Sequence, residues 1–182
     1  MRLFFALELG DAVKDALCEA MERMRPCCAQ GRFTPRDHLH LTLVFLGEVA
    51  PGRLAEARQV VAEVPAAGFP LQIGGLGCFH QRGGYLYWAG VERSRPLLAL
   101  YEALRAKLRD HGFHVEERAY LPHLTLVRQA VLNENCDRSA LTVPVLRASA
   151  ERFGLMLSER RNGRPVYTEL CGRPLTEPGA VS

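Results

Sequence analysis

Apolar residues recur along this chain with strand-like and helix-like periods in turn. Arg2 to Leu9 is a short apolar run, rich in Phe and Leu, and reads as a buried strand. Asp11 offers a helix N-cap. Val13, Ala16, Leu17, Ala20, Met21 and Met24 then fall on one helical face, closed by Pro26. Leu39 to Leu46 is a second strand, ended by Gly47. Leu54 to Val64 is a second helix, stopped by Pro65. Phe69 to Phe79 and Tyr85 to Val91 flank the Gly83-Gly84 turn as an antiparallel pair. A third helix starts after Ser94, presents Leu97, Leu100, Tyr101, Leu104 and Leu108, and ends at Gly112. Leu121 to Val127 and Arg152 to Leu157 are further strands. Asn162-Gly163 is a hairpin signal leading into a strand from Val166 to Leu170.

Strands outnumber helices and follow one another in the second half. The expected class is α+β, with mainly antiparallel sheet and helices packed outside. The 182 residues suit one domain, expected over residues 1–175, with 176–182 as a flexible tail of Pro, Gly and small residues. No run approaches the ~18–20 apolar residues of a membrane span. The N-terminal apolar run is interrupted by Glu8 and makes a poor signal peptide, so a cytoplasmic protein is expected. Six cysteines without C-x-x-C or zinc-finger spacing read as reduced thiols. Net charge is only +3, which neither demands nor forbids a short nucleic acid. Only Lys14 and Lys107 are lysines, so the other 21 of the 23 basic residues are arginines. Arginine is the better bidentate ligand for phosphate, but composition alone assigns no partner.

One internal repeat changes the picture. His40-Leu41-Thr42-Leu43 recurs 83 residues later as His123-Leu124-Thr125-Leu126. In a strand, residues i and i+2 share a face, so each His sits beside its Thr while the leucines face the core. Two such strands, one in each half of the chain, suggest two pseudo-symmetric lobes around a central cleft. The tetrads are expected on neighbouring central strands. Two imidazoles facing one small site suit acid–base chemistry near neutral pH. Cleavage of a phosphodiester needs both partners: a base for the attacking oxygen and an acid for the leaving one. Thr42 and Thr125 can donate to phosphate oxygens, and Arg128, just past the second tetrad, can add charge-assisted hydrogen bonds. This scheme needs no metal and no cofactor.

The sequence resembles the 2H phosphoesterases, a superfamily named for two H-x-[ST]-x motifs. Within it the chain is most similar to the RNA 2′,3′-cyclic phosphodiesterases, also called 2′-5′ RNA ligases. The resemblance is carried by Leu3 to Leu7, His40 to Gly47 and Tyr120 to Arg128. It implies a bilobal α+β fold and hydrolysis of a 2′,3′-cyclic phosphate at an RNA end, or on a cyclic nucleotide, to a 2′-phosphomonoester, with reversible 2′-5′ ligation as an attendant activity. By the same resemblance His40 is the proton donor, His123 the proton acceptor, and Thr42, Thr125 and Arg128 hold the phosphate. A soluble monomer without a membrane partner is expected.

Two rival readings remain. His38 and His40 placed on one strand face would, with His123, make a three-His zinc hydrolase. Alternatively, Arg118, Tyr85, Tyr120 and Trp88 would supply the phosphate and stacking contacts of a non-catalytic RNA-binding module. His80, His111 and His114 are expected to face solvent.

Overall fold

A computed structural model describes residues 1–65 and 67–175 of the chain; the tail expected over 176–182 lies outside the described residues. Its first strand, β1 (Arg2–Glu8), is buried on both faces, with Leu3, Phe5 and Leu7 fully covered. A strand with two apolar faces needs neighbours on both edges and layers on both sides. It obtains them from distant parts of the chain. The four-stranded sheet runs β3-β1-β8-β9, where β3 is His40–Glu48, β8 is Arg152–Arg161 and β9 is Arg164–Pro174. The five-stranded sheet runs β2-β6-β5-β4-β7, built from β2 (Cys28–Phe33), β4 (Phe69–Gln81), β5 (Gly84–Val91), β6 (His123–Leu132) and β7 (Leu146–Ala150). All the pairings are antiparallel. The α+β class is as expected.

The two lobes are not the two halves of the chain. β1 pairs along its length with β8, so the N- and C-terminal regions share the four-stranded sheet. Helix α1 (Asp11–Met24) leaves β1 and packs on β6 and β7 of the other sheet. Helix α2 (Leu54–Glu63) covers β8 and β9, and α3 (Arg95–Asp110) lies against α2 and β3. One continuous hydrophobic core, from Leu3 to Leu175, runs under both sheets. The tetrads accordingly lie in different sheets rather than on neighbouring central strands. β3 is an edge of the four-stranded sheet, and β6 is the second strand of the five-stranded one.

Local expectations differ at a few points. Gly10, not Asp11, occupies the N-cap of α1 and offers no side-chain cap. Asp11 is the first helical residue, and its carboxylate accepts from Arg36 Nη2 at 2.9 Å. Ser94 does cap α3, accepting from the Leu97 N–H. β2 and β7 went unread because both are short edge strands: β2 has a broken alternation, and β7 alternates over only five residues. His111 does not face solvent: it bridges α3 to the end of α2 through Glu63 at 3.0 Å. His80 and His114 are exposed as expected.

Candidate active site

The two tetrads adopt the same local structure, down to an irregularity. Against β1, Phe5 pairs with Val44 and Ala6 with Thr42, so one step on β1 matches two on β3. Against β5, Tyr87 pairs with Val127 and Trp88 with Thr125, again one step against two. Each is a β-bulge, which inserts a residue and shifts the alternation. The burial patterns agree: Leu41, Leu43 and Val44 are buried on β3, as are Leu124, Leu126 and Val127 on β6. Without the bulge, the residue five positions after each His would point into the core. With it, Phe45 and Arg128 join the faces of their histidines.

All five expected residues, His40, Thr42, His123, Thr125 and Arg128, line one cleft of about 1520 Å³. The imidazoles are held in the same way. His40 Nδ1 lies 2.7 Å from the His38 carbonyl oxygen, and His123 Nδ1 lies 2.8 Å from that of Leu121. A carbonyl only accepts, so Nδ1 carries the hydrogen in both rings. The neutral form then leaves Nε2 as the basic nitrogen. At His40, the Thr42 hydroxyl donates to that nitrogen across 3.1 Å.

The two strands are also tied to each other. The Tyr120 hydroxyl, just before β6, donates to the Thr42 carbonyl on β3 at 3.0 Å. Its ring stacks on Tyr101 with centroids 4.1 Å apart. Burial pushes the Tyr120 phenol well above its ordinary range. Tyr120 is therefore a structural tie between the tetrads and is not available for base stacking. Arg36 anchors the other side: its guanidinium reaches Asp11 and, at 2.6 Å, Asp15 of α1. These pairs are solvent-exposed and contribute little energy. They do locate the 3₁₀ turn Arg36–His38, whose last carbonyl orients His40.

His38 departs from the strand expectation. It belongs to that 3₁₀ turn and does not share a strand face with His40. Its ring packs on Tyr167 at 4.8 Å, and its Nδ1 is buried without a partner among the described residues. Among the described residues, no three His, Cys, Asp or Glu side chains are grouped as a metal site would require.

The two catalytic candidates have different surroundings. His40 sits against Phe4 at 4.9 Å and the edge of Tyr167 at 5.3 Å. This burial, aided by the charges of Arg128, His38 and His123, pushes its pKa down to about 4, against the pull of the hydrogen bond to His38. His123 lies beside Phe79 at 5.6 Å and Trp88 at 5.9 Å. Gly77 makes room for that indole, since a Cβ there would fall 2.1 Å from it.

A pH dependence follows from His40. An unfolded imidazole takes a proton near ~6.5, the folded one only near about 4. The unfolded chain thus binds more protons between those values. Stability is expected to fall as pH drops through that window, and His40→Ala should flatten the fall. Imidazole NMR titration checks the premise: a His40 ring titrating near 6.5 in the empty protein would contradict it.

Arginines dominate the cleft's charge. Arg32, Arg128, Arg160 and Arg164 line it without an ion-pair partner among the described residues. The acidic lining residues are already engaged, Glu48 with the N-terminus and Glu159 with Arg161. That Arg32, Phe4 and Tyr167 line the cleft was not legible in the sequence. Arg32 needed β2 to be placed, whereas Phe4 and Tyr167 lie on expected strands whose cleft faces only the sheet order reveals.

Comparison with known proteins finds relatives along nearly the whole chain. The family model described as the 2′-5′ RNA ligase superfamily matches residues 13–161. A Thermotoga maritima protein named RNA 2′,3′-cyclic phosphodiesterase is 29% identical over 176 residues, 93% of each chain. A Thermus thermophilus protein of the same name is 32% identical over 181 residues, covering 93% of this chain and 88% of its own. The crystal structure of E. coli LigT in apo form superposes with a TM-score of 0.79 at 28% identity, covering 97% of this chain and 98% of that one.

Proposed function

The chain belongs to the 2′-5′ RNA ligase superfamily, and from that premise we propose that it is an RNA 2′,3′-cyclic phosphodiesterase working by two-histidine acid–base catalysis. The observation that carries the reading is the convergence of both H-L-T-L strands on one arginine-lined cleft, each imidazole with Nδ1 spent on a backbone carbonyl.

The substrate's phosphorus bridges O2′ and O3′ of the terminal ribose. His123 Nε2 takes a proton from water as its oxygen attacks phosphorus. The P–O3′ bond breaks, and protonated His40 Nε2 delivers a proton to O3′. The product is a 2′-phosphomonoester with a free 3′-hydroxyl. A 5′-hydroxyl of a second RNA in place of water gives a 2′-5′ phosphodiester by the same displacement, so reversible ligation needs no further machinery. Thr125 and Arg128 hold the non-bridging oxygens, where charge accumulates in the transition state, and Thr42 joins them once protonation of His40 Nε2 frees its hydroxyl hydrogen. Carbonyl-held rings cost no reorganisation when the reaction occurs.

The assignment of donor to His40 comes from the family resemblance. Its depressed pKa adds a condition: His40 must gain its proton when the phosphate anion enters, because a bound negative charge favours the imidazolium. The protein is proposed to act as a cytoplasmic monomer on RNA ends. Its described cysteines are all free thiols, as a reducing compartment requires, and no described helix is long and apolar enough to cross a membrane.

The test is product analysis. An RNA oligomer ending in a 2′,3′-cyclic phosphate should yield an end with a 2′-phosphate and a 3′-hydroxyl, identified by phosphorus NMR. A 3′-phosphate product would reverse which P–O bond breaks. Binding without turnover would support the non-catalytic reading.

A further inference from the structure

Arg32 and Arg128 are direct cross-strand partners in the β2–β6 register, and both line the cleft. Like charges placed opposite one another in a sheet are destabilising. Neither guanidinium is offset by a carboxylate among the described residues, whereas Arg25, Arg36, Arg53 and Arg152 each hold one. The cleft's own acids are spoken for by the N-terminus and Arg161. Two uncompensated arginines at one register position, both lining the cleft, favour an anion there.

That anion need not be the reacting phosphate. The reacting phosphate is already supplied with two imidazoles, two threonines and Arg128. Arg32 stands on the edge strand β2, one strand beyond β6, which carries His123 and Thr125. A 2′,3′-cyclic phosphate closes the 3′ end of its chain. In any RNA longer than one nucleotide, the nearest other anion is the phosphodiester on the 5′ side of the terminal ribose. A lone cyclic nucleotide lacks it.

We propose that Arg32, one strand beyond the Arg128 that holds the reacting phosphate, forms a subsite for that neighbouring phosphodiester and so selects RNA ends over free cyclic nucleotides. The proposal rests on the phosphodiesterase reading above and adds the residue that recognises the chain beyond the reacting ribose.

The experiment compares three substrates: a nucleoside 2′,3′-cyclic phosphate, a dinucleotide with the same end, and that dinucleotide with an uncharged methylphosphonate linkage. The native protein should prefer the charged dinucleotide over the uncharged one by roughly tenfold or more, since a hydrogen bond to a charged group is lost. Arg32→Ala should erase this preference through KM and leave the single cyclic nucleotide within about twofold. Arg32→Lys should restore part of it. Equal losses on all three substrates would mean that Arg32 serves the reacting phosphate and would overturn the subsite; so would no loss on the charged dinucleotide. Arg32 is exposed on an edge strand, and circular dichroism checks that each variant folds.

A binding arm separates this proposal from the reading beneath it. Affinity for a dinucleotide 2′-phosphate is measured against salt, with no turnover required. Arg32→Ala should reduce the slope of log K on log salt by about 0.7, one phosphate contact on a single strand. An unchanged slope overturns the subsite. If the native protein hydrolyses none of the three substrates, the phosphodiesterase reading fails and the slope still decides whether the subsite exists.

Discussion

Replacing His40 or His123 by alanine is expected to lower kcat on a 2′,3′-cyclic phosphate RNA end by roughly 10²–10⁴-fold, the usual contribution of a proton-transfer group. The double replacement should cost little more than the worse single one. Acid and base act on one displacement, and with either missing the remaining rate comes from binding and charge stabilisation alone. Both residues start strands whose neighbours Leu41 and Leu124 are fully buried, so the fold should survive either change. Single-turnover kinetics on the four proteins checks this. Additive losses would mean that the histidines act in separate steps.

The next largest effects are expected at the phosphate-holding residues. Thr42→Ala or Thr125→Ala removes one hydrogen bond to a charged group, about 1.5–3 kcal/mol, or roughly 10–150-fold in kcat/KM. Arg128→Lys should also be costly, because a point charge does not replace a planar two-pronged donor. The pseudo-symmetry sharpens this. At the equivalent place on β3 stands Phe45, 40% exposed, with the Arg2 guanidinium 4.8 Å over its ring. β3 itself therefore carries no arginine equivalent to Arg128. Activity of Arg128→Lys equal to that of the unaltered protein would show that charge alone suffices there.

The site was legible in the sequence to an unusual depth because its essential pattern is local. H-L-T-L alternation by itself places His and Thr on one face and two leucines in the core. What alternation does not reveal is the bulge after each Thr, and parity alone would send Arg128 to the face it shares with Leu124 and Leu126. Arg128 nevertheless lines the cleft, and the structural reason lies in the pairing of Tyr87 and Trp88 with Val127 and Thr125. Which strands make up each lobe was not legible for a related reason. Which strands pair depends on contacts far apart in the chain, and β1 with its two apolar faces is satisfied by β3 and β8 together. β2 escaped because an exposed edge strand needs no periodic apolar face, and Arg32 went unplaced with it. His38 reads as strand from its spacing to His40, yet Pro35 and the Arg36 clamp turn the backbone before β3 begins.

His38 also provides the sharpest test of the central claim, that two imidazoles and no third ligand carry the chemistry. His40 is oriented by the carbonyl of His38, which alanine retains, while the His38 ring touches Tyr167. The measurement is kcat/KM on an RNA ending in a 2′,3′-cyclic phosphate, in excess chelator, for the native protein, His38→Ala and His40→Ala side by side. The native protein should be unaffected by the chelator, His38→Ala should fall by no more than a few-fold, and His40→Ala should fall by roughly 10²-fold or more. Loss of native activity in chelator, with His38→Ala as impaired as His40→Ala, would contradict the two-histidine account and favour a three-histidine metal site.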